Sequence, residues 1–520
     1  MTIVTPEWVR DAVFYQVFPD RFARSGKVEA PGPLEAWDTP PTTTGFKGGD
    51  LYGVVDHLPY LADLGVTALY LNPIFASASN HRYHTYDYHT VDPLLGGNDA
   101  LRALLDAAHA RGMKVVLDGV FNHASRGFWP FNHVLECGAG SPYVDWFHVD
   151  KEALASGRSL RAYPDESLLR AVADSEWADA HGSGTESFHA LGYRAWWDLP
   201  ALPKLNTDNP KVREYIFDVA EHWIRFGADG WRLDVAAEID DDEFWREFRR
   251  RVKGANPDAY ICAEIWYEDH RWLQGDQFDA FMNYPLAEAI ISFVGQDRLD
   301  LRVIGQHGEL GATIRAEDAP TFAARLSHVI TTYDPAVNEV QLNLLGSHDT
   351  PRAITMLGGD VNAFRLAMLI EMTVRGAPCI YYGDEIGLTG EQDPFCRGAF
   401  PTDEADWDRD LLAYVSGLTA FRHSYRAIRR GTFLVDASAG LALVYRRADE
   451  DETFLVCLNA GDEAATLEVD LADLEGTTLT PVTWAGWGWA PGETCTVSDG
   501  SAEIAIPARS ARILRAEARP

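Results

Sequence analysis

The chain has 520 residues, 46% of them hydrophobic, and a formal net charge of −33. The length exceeds one ordinary domain, and the apolar content excludes a disordered chain. The acidic balance argues against nucleic acid or an anionic membrane as partner, and no apolar run reaches the ~18 residues of a membrane span.

The first residues, MTIVTPEWVRDAVFYQ, show no basic start followed by an apolar stretch, so the expected compartment is the cytoplasm. Six cysteines (Cys137, Cys262, Cys379, Cys396, Cys457 and Cys495) form no C-x-x-C pair, which argues against a zinc or thioredoxin-type site. Cys262 and Cys379 lie inside apolar runs and read as small core residues.

Eight apolar, β-branched or aromatic runs follow one another: Ala12–Val17, Val66–Leu71, Met113–Phe121, Ala228–Val235, Ala259–Trp266, Phe278–Tyr284, Gln341–Ser347 and Ala377–Gly383. Helical patterns separate most of them. Asp99 to Arg111 carries Leu101, Leu104, Leu105 and Ala108 at helical spacing, with Gly112 as a stop. Asn209-Pro210 opens another helix, and Gly227 closes it. Strand, helix and parallel strand repeated in this way predict an α/β fold, a (β/α)8 TIM barrel.

Two stretches break the rhythm. Residues 124–200 are too long for a βα loop and predict a small inserted domain after the third strand. Residues 431–520 alternate apolar and polar positions between turns, which predicts a C-terminal antiparallel β-sandwich. The barrel then comprises 1–123 and 201–430.

In such a barrel the active site lies at the C-terminal ends of the strands. The third run ends in Asp118-Gly-Val-Phe-Asn122-His123, the fourth in Arg232-Leu-Asp234, and the fifth in Glu264-Ile-Trp266. The seventh ends in Ser347-His348-Asp349 and the eighth in Gly383-Asp384-Glu385. A lone Asp after a strand is commonly a helix cap, but so many acids on one rim repel one another and need a reason. Paired carboxylates suit glycoside hydrolysis, one ionised to attack and one holding a proton for the leaving oxygen. Arg232, two residues before Asp234, points to the same side of its strand and is expected to keep Asp234 ionised. Glu264, beside Trp266 and an apolar strand, is the expected acid.

The segments DGVFNH (118–123), GWRLD (230–234), EIW (264–266) and SHD (347–349) resemble the four signature regions of the α-amylase family. GFKGGDLYGV (45–54), LPALPKLN (199–206) and YYGDEIGLTG (381–390) extend the likeness, and LPKLN with Glu238 is similar to the neopullulanase, cyclomaltodextrinase and maltogenic amylase branch. The resemblance implies Asp234 as nucleophile, Glu264 as general acid/base and Asp349 as the third essential carboxylate. It implies substrate contacts from Tyr86, His123, Arg232, Glu238, His348, Asp393 and Arg397. Trp196 and Trp197 fit either a cleft wall or a hydrophobic seam for the inserted domain.

That branch usually carries a β-domain ahead of the barrel. Here the barrel begins by Asp11, so the dimer such a domain supports is not implied, and the oligomeric state is left open. No cofactor is expected to be required. Asn122 matches a calcium position of α-amylases, but the loop Asp20 to Lys27 lacks the Asn/Asp-rich ligands of the branch, and calcium takes ~6–8 oxygens. The metal is left unassigned.

The expected function is retaining hydrolysis of α-1,4 and also α-1,6 bonds in short linear or cyclic α-glucans, with some transglycosylation. Two alternatives stand beside it. One is a glucosyl transferase or isomerase acting on a disaccharide such as sucrose or trehalose. The other is a non-catalytic carbohydrate-binding relative, which the presence of all three carboxylates disfavours.

Overall fold

The computed structural model describes residues 3–165 and 185–517. All eight runs contain parallel strands: β1 (Phe14–Val17), β2 (Ala68–Leu71), β3 (Lys114–Gly119), β4 (Gly230–Leu233), β5 (Tyr260–Ala263), β6 (Ala280–Phe281), β7 (Leu342–Leu344) and β8 (Ala377–Tyr381). They lie in the order β6-β5-β4-β3-β2-β1-β8-β7. A parallel bridge between Met282 and Leu342 joins the two outer strands, so the sheet closes on itself. This is the TIM barrel that the rhythm predicts.

Alternation along the strands divides the core in two. Phe14, Tyr70, Val116, Cys262, Leu342 and Cys379 fill the barrel interior. Their neighbours Tyr15, Leu69, Val115 and Ile261 face the surrounding helices. Both faces are buried, so the strands read as continuous apolar runs.

Two helices show how the sequence sets its boundaries. Asp99–Arg111 falls within α1 (Gly97–His109) and the turn after it, with Leu101, Leu104 and Leu105 buried. In α2 (Pro210–Phe226) the Asn209 side chain accepts from the Lys211 N–H, Pro210 sits in the first turn, and Gly227 ends the helix at φ 120°. The stripe Val212, Ile216, Val219 and Trp223 is buried; truncating Trp223 to alanine would cost roughly 3–5 kcal/mol. The run Phe278–Tyr284 shrinks to two strand residues because Tyr284 already opens α3 (Tyr284–Gly295), with Pro285 in its first turn.

After β3 the chain leaves the barrel through the helix Trp129–Cys137, short turns, and the helix Thr185–Leu191. Isolated bridges lace this insert together: His123 with Lys204, Phe147 with Leu205, Val149 with Tyr193, and Ala195 with Pro203. Of the expected span 124–200, residues 166–184 lie outside the described residues. From Thr432 onward the structure is antiparallel, a six-stranded sheet and a two-stranded sheet. Val444, Leu455, Cys457 and Leu514 of the larger sheet meet Leu467, Val469 and Ile504 of the smaller. The alternate residues Tyr445, Phe454 and Val456 belong to the core shared with the barrel. Among the described residues no helix is long and apolar enough to cross a membrane.

Candidate active site

The site is built around one guanidinium. Arg232 is fully buried on β4, and its β3 neighbour in register is Asp118. Arg232 Nη1 lies 3.0 Å from Asp118 and 3.0 Å from Asp234 Oδ1, and Nη2 lies 3.0 Å from Glu264 Oε2. Asp234 and Glu264 follow directly on β4 and β5. The ladder continues through them, the Asp234 N–H donating to Gly119 O and the Glu264 N–H to Leu233 O. Their positions are thus held by barrel backbone rather than by a loop.

Val235 takes φ 39°, ψ 47°, a left-handed conformation costly for a β-branched residue. It turns the Val235 N–H onto Glu264 Oε2 at 2.8 Å. Trp266 Nε1 donates to the other oxygen at 3.1 Å, and its ring stacks on Tyr284 at 3.5 Å. Glu264 is therefore held by two hydrogen-bond donors and by the Arg232 cation, as well as by the apolar strand the sequence shows.

Burial pushes Asp234 well above the usual carboxylate range; Arg232 opposes it, while Glu264, Asp118 and Asp349 add to it. Arg232 favours the ionised Asp234, as the sequence reading expects, and does so against burial, which works the other way. Burial likewise raises Asp118, and burial followed by the charge of Glu264 raises Asp349 to about 7. Several carboxyls around one cation share protons, and their titrations belong to the cluster. A site that retains a proton at neutral pH can act as an acid.

Asp349 follows β7 by a short loop. It sits 3.1 Å from His348 Nε2 and 3.4 Å from Arg397 Nη2, and Arg397 also binds Asp393 at 3.1 Å. Arg397 Nε donates to His348 O at 2.8 Å. His348 takes a donor at Nδ1 from Gln16 Nε2 at 2.9 Å, so its proton sits on Nε2. Burial lowers the pKa of His348 well below its ordinary value and brings His123 down to about 3; both rings are neutral.

His123 and Glu238 stand further along the rim. Glu238 is paired with Lys204 at 3.0 Å. Tyr86 is not brought to the carboxylates. It is 36% exposed, lies against Gly127 so closely that no side chain would fit there, and has Tyr163 and the Arg126 cation as neighbours. The tyrosine that reaches the site is Tyr83. Its hydroxyl lies 2.6 Å from His348 Nε2, 2.9 Å from Asp118 Oδ2 and 3.4 Å from Arg232 Nη1. Its ring lies parallel to His348 at 5.3 Å. Asp384 and Glu385 after β8 turn to structural use: Asp384 pairs with Arg352, and Glu385 accepts from Tyr15 and Tyr60.

Sequence reasoning places Asp118 on the rim without a role and misses Tyr83, Gln16 and Tyr70 as members of the site. Asp118 was within reach, because the strand order places it beside Arg232. Tyr70, on the neighbouring strand β2, donates to Asp118 at 2.8 Å. We expect Tyr83→Phe to lower kcat/KM by roughly 10- to 100-fold, the worth of hydrogen bonds to a charged group, while the melting temperature moves little. Wild-type kcat/KM in that variant would show the hydroxyl to be a bystander.

Asn122 Oδ1 is buried without a partner, but it is one oxygen of the ~6–8 that calcium takes. Among the described residues no group of three or more His, Cys, Asp or Glu is placed to hold a metal ion.

The α-amylase catalytic-domain family matches residues 16–418. The chain belongs to the α-amylase family. It is a glycoside hydrolase, and the signature segments that carry the resemblance lie inside that match. A cyclomaltodextrinase of Geobacillus thermopakistaniensis is 43% identical over 470 residues, 90% of this chain and 71% of that protein. Neopullulanase 2 of Thermoactinomyces vulgaris is 41% identical over 468 residues, 89% of this chain and 72% of that protein. The crystal structure of Ttha1563 from Thermus thermophilus superposes with a TM-score of 0.86 at 44% identity, covering 98% of this chain and all of that one (100%). These relatives favour hydrolysis of α-glucans over the disaccharide isomerase alternative.

Proposed function

We propose that this chain is a retaining hydrolase of short malto-oligosaccharides, linear or cyclic, cutting α-1,4 and also α-1,6 bonds. Asp234 is the nucleophile, Glu264 the general acid/base, and Asp349 the acid that grips sugar hydroxyls in the transition state. The observation that carries the reading is the single guanidinium shared by Asp234 and Glu264. Two carboxyls on neighbouring nitrogens of one Arg232 are near neighbours, as in retaining enzymes, whose pair is ~5–5.5 Å apart. An inverting pair needs ~6.5–9.5 Å to admit a water.

In the first step an Asp234 oxygen bonds to the anomeric carbon as the glycosidic C–O bond breaks, and Glu264 gives its proton to the leaving oxygen. In the second, Glu264 takes a proton from water, the water oxygen attacks the same carbon, and Asp234 is released. His348, its Nε2–H facing Asp349 and Tyr83, and His123, with Nε2 buried and unpartnered, are the neutral donors for sugar hydroxyls. Arg397 with Asp393 positions Asp349, and Glu238 lies on the acceptor side.

The names of the relatives, cyclomaltodextrinase and neopullulanase, support the substrate class. The insert beside the barrel mouth supports short substrates, since sugars beyond the walled cleft gain no contacts that stabilise the transition state. All six cysteines are free, which supports the cytoplasm, where thiols stay reduced. The reading requires no cofactor.

The test is a product panel on maltotriose, pullulan, a cyclodextrin and isomaltose, with the anomer of the first product followed by NMR. An α-anomer, cleavage of the cyclic and short substrates, and a higher kcat/KM on maltotriose than on soluble starch per cleavable chain are expected. A β-anomer first, or a clear preference for starch, overturns the mechanism or the substrate class respectively.

A further inference from the structure

Resting on that reading of the site, a closed ring of hydrogen bonds beneath it carries one inference more. Gln16 lies on β1, in register with Tyr70 of β2 and Tyr381 of β8. It stands two residues from Phe14, so both side chains point into the barrel. Asn72 follows β2 directly, its N–H continuing the ladder to Val17 O at 3.0 Å. Gln16, Asn72 and His348 are all buried. Gln16 Nε2 donates to His348 Nδ1 at 2.9 Å and to Asn72 Oδ1 at 3.1 Å. His348 Nε2 lies 2.6 Å from the Tyr83 hydroxyl, and Asn72 Nδ2 donates to the same oxygen at 3.1 Å. Four side chains from four separate segments therefore close a ring in the order Gln16, His348, Tyr83, Asn72.

The ring has a source and a sink. A side-chain amide nitrogen carries two hydrogens, and Gln16 commits both inside the ring. His348, accepting at Nδ1, carries its proton on Nε2; Asn72, accepting at Oδ1, donates from Nδ2. Tyr83 receives both bonds, which occupies the lone pairs of its oxygen. Its one proton has to leave the ring, and Asp118 Oδ2 accepts it at 2.9 Å. Arg232 Nη1, 3.4 Å from the hydroxyl, is another donor and offers no alternative. At the other end His348 Nε2 also faces Asp349 Oδ2 at 3.1 Å. With Gln16 accepting instead, His348 would present a bare nitrogen to the Asp349 carboxylate. Tyr83 would then turn its proton inward, away from Asp118. In a buried network each bond polarises the next, so the direction set at Gln16 reaches both carboxyls.

We propose that Gln16 is a positioning residue whose amide orients this ring, so that Tyr83 gives its proton to Asp118 and His348 turns Nε2–H toward Asp349. It acts through Tyr83 and His348. Its removal therefore shows in kcat rather than KM, because Asp349 grips the sugar in the transition state. The test measures both constants on maltotriose for the wild type, Gln16→Met, Tyr83→Phe and the double variant. Methionine keeps the unbranched shape and has no amide. Gln16→Met is expected to lower kcat about tenfold, the scale of a hydrogen bond to a charged group, with KM little changed. In the Tyr83→Phe background the same substitution is expected to cost about threefold or less, since residues of one network are not additive. Neutron diffraction from wild-type crystals exchanged into D2O reads the polarity directly. Deuterium on His348 Nε2, and a Tyr83 deuteron aimed at Asp118, are expected. Equal losses in the two backgrounds overturn the proposal and mark Gln16 as packing. Deuterium on His348 Nδ1 overturns it as well, whether or not the variants fold. A wild type that cleaves none of maltotriose, pullulan and a cyclodextrin overturns the glycosidase reading instead, and the neutron map still decides the ring.

Discussion

Asp234→Asn should abolish turnover, lowering kcat by at least ~10⁴-fold, while leaving the fold intact. The amide keeps the size and one oxygen of the carboxylate, so the contact to Arg232 Nη1, 3.0 Å in the wild type, can persist. What is lost is the ability to form a glycosyl ester, and with it both halves of the double displacement. No stability penalty is expected, because burial already disfavours the charge at this position. A second variant separates the chemical role from general damage. Asp234→Ala opens space for a small anion, so azide should attack α-glucosyl fluoride directly and give the β-azide, a single inversion. A purified Asp234→Asn protein with a tenth of wild-type activity would remove Asp234 from the role. Azide product of retained configuration would do the same.

The fold was legible because the barrel strands are buried on both faces, and burial on both faces writes itself as an apolar run. Strand ends were less legible. β6 keeps two residues of a seven-residue run, since apolar content alone does not distinguish a strand from the buried first turn of α3. The charged members of the site could be read from their strand-end positions. Asp118 could have been added from topology, because parallel neighbours at equal register meet side by side. The choice between Tyr83 and Tyr86 was not open to such reasoning. Both lie in Tyr83-His84-Thr85-Tyr86, where an irregular stretch gives way to the strand that begins at Thr85, and spacing there carries no direction. Only the tertiary path sends the first hydroxyl to His348 and leaves the second at the rim. The proton balance was also out of reach. It depends on burial around Arg232 and on four carboxyls whose mutual effect is a three-dimensional quantity.

Asp349→Asn should lose activity by at least ~10³-fold and gain stability above neutral pH. The carboxyl sits in the cluster with a pKa raised to about 7 from 3.8, through burial first and the charge of Glu264 second. The native state therefore holds a proton here between those two values, where the unfolded chain has released it. The stability this group contributes is complete below about pH 4 and is lost as pH rises through 7. At pH 8 the ionised, buried Asp349 works against folding by up to on the order of 4 kcal/mol, from about three pH units at ~1.36 kcal/mol each. Asparagine cannot ionise, so its variant escapes that loss. The melting temperature of Asp349→Asn should exceed that of the wild type by a few degrees at pH 8. The difference should close as pH falls toward 4. Melting curves of the two proteins across pH 4–8 make the comparison, and parallel curves would show that Asp349 is not held against its charge. A converging pair with lost activity would show what the site keeps for its chemistry: an acid retained at a cost to the fold, as active sites characteristically do.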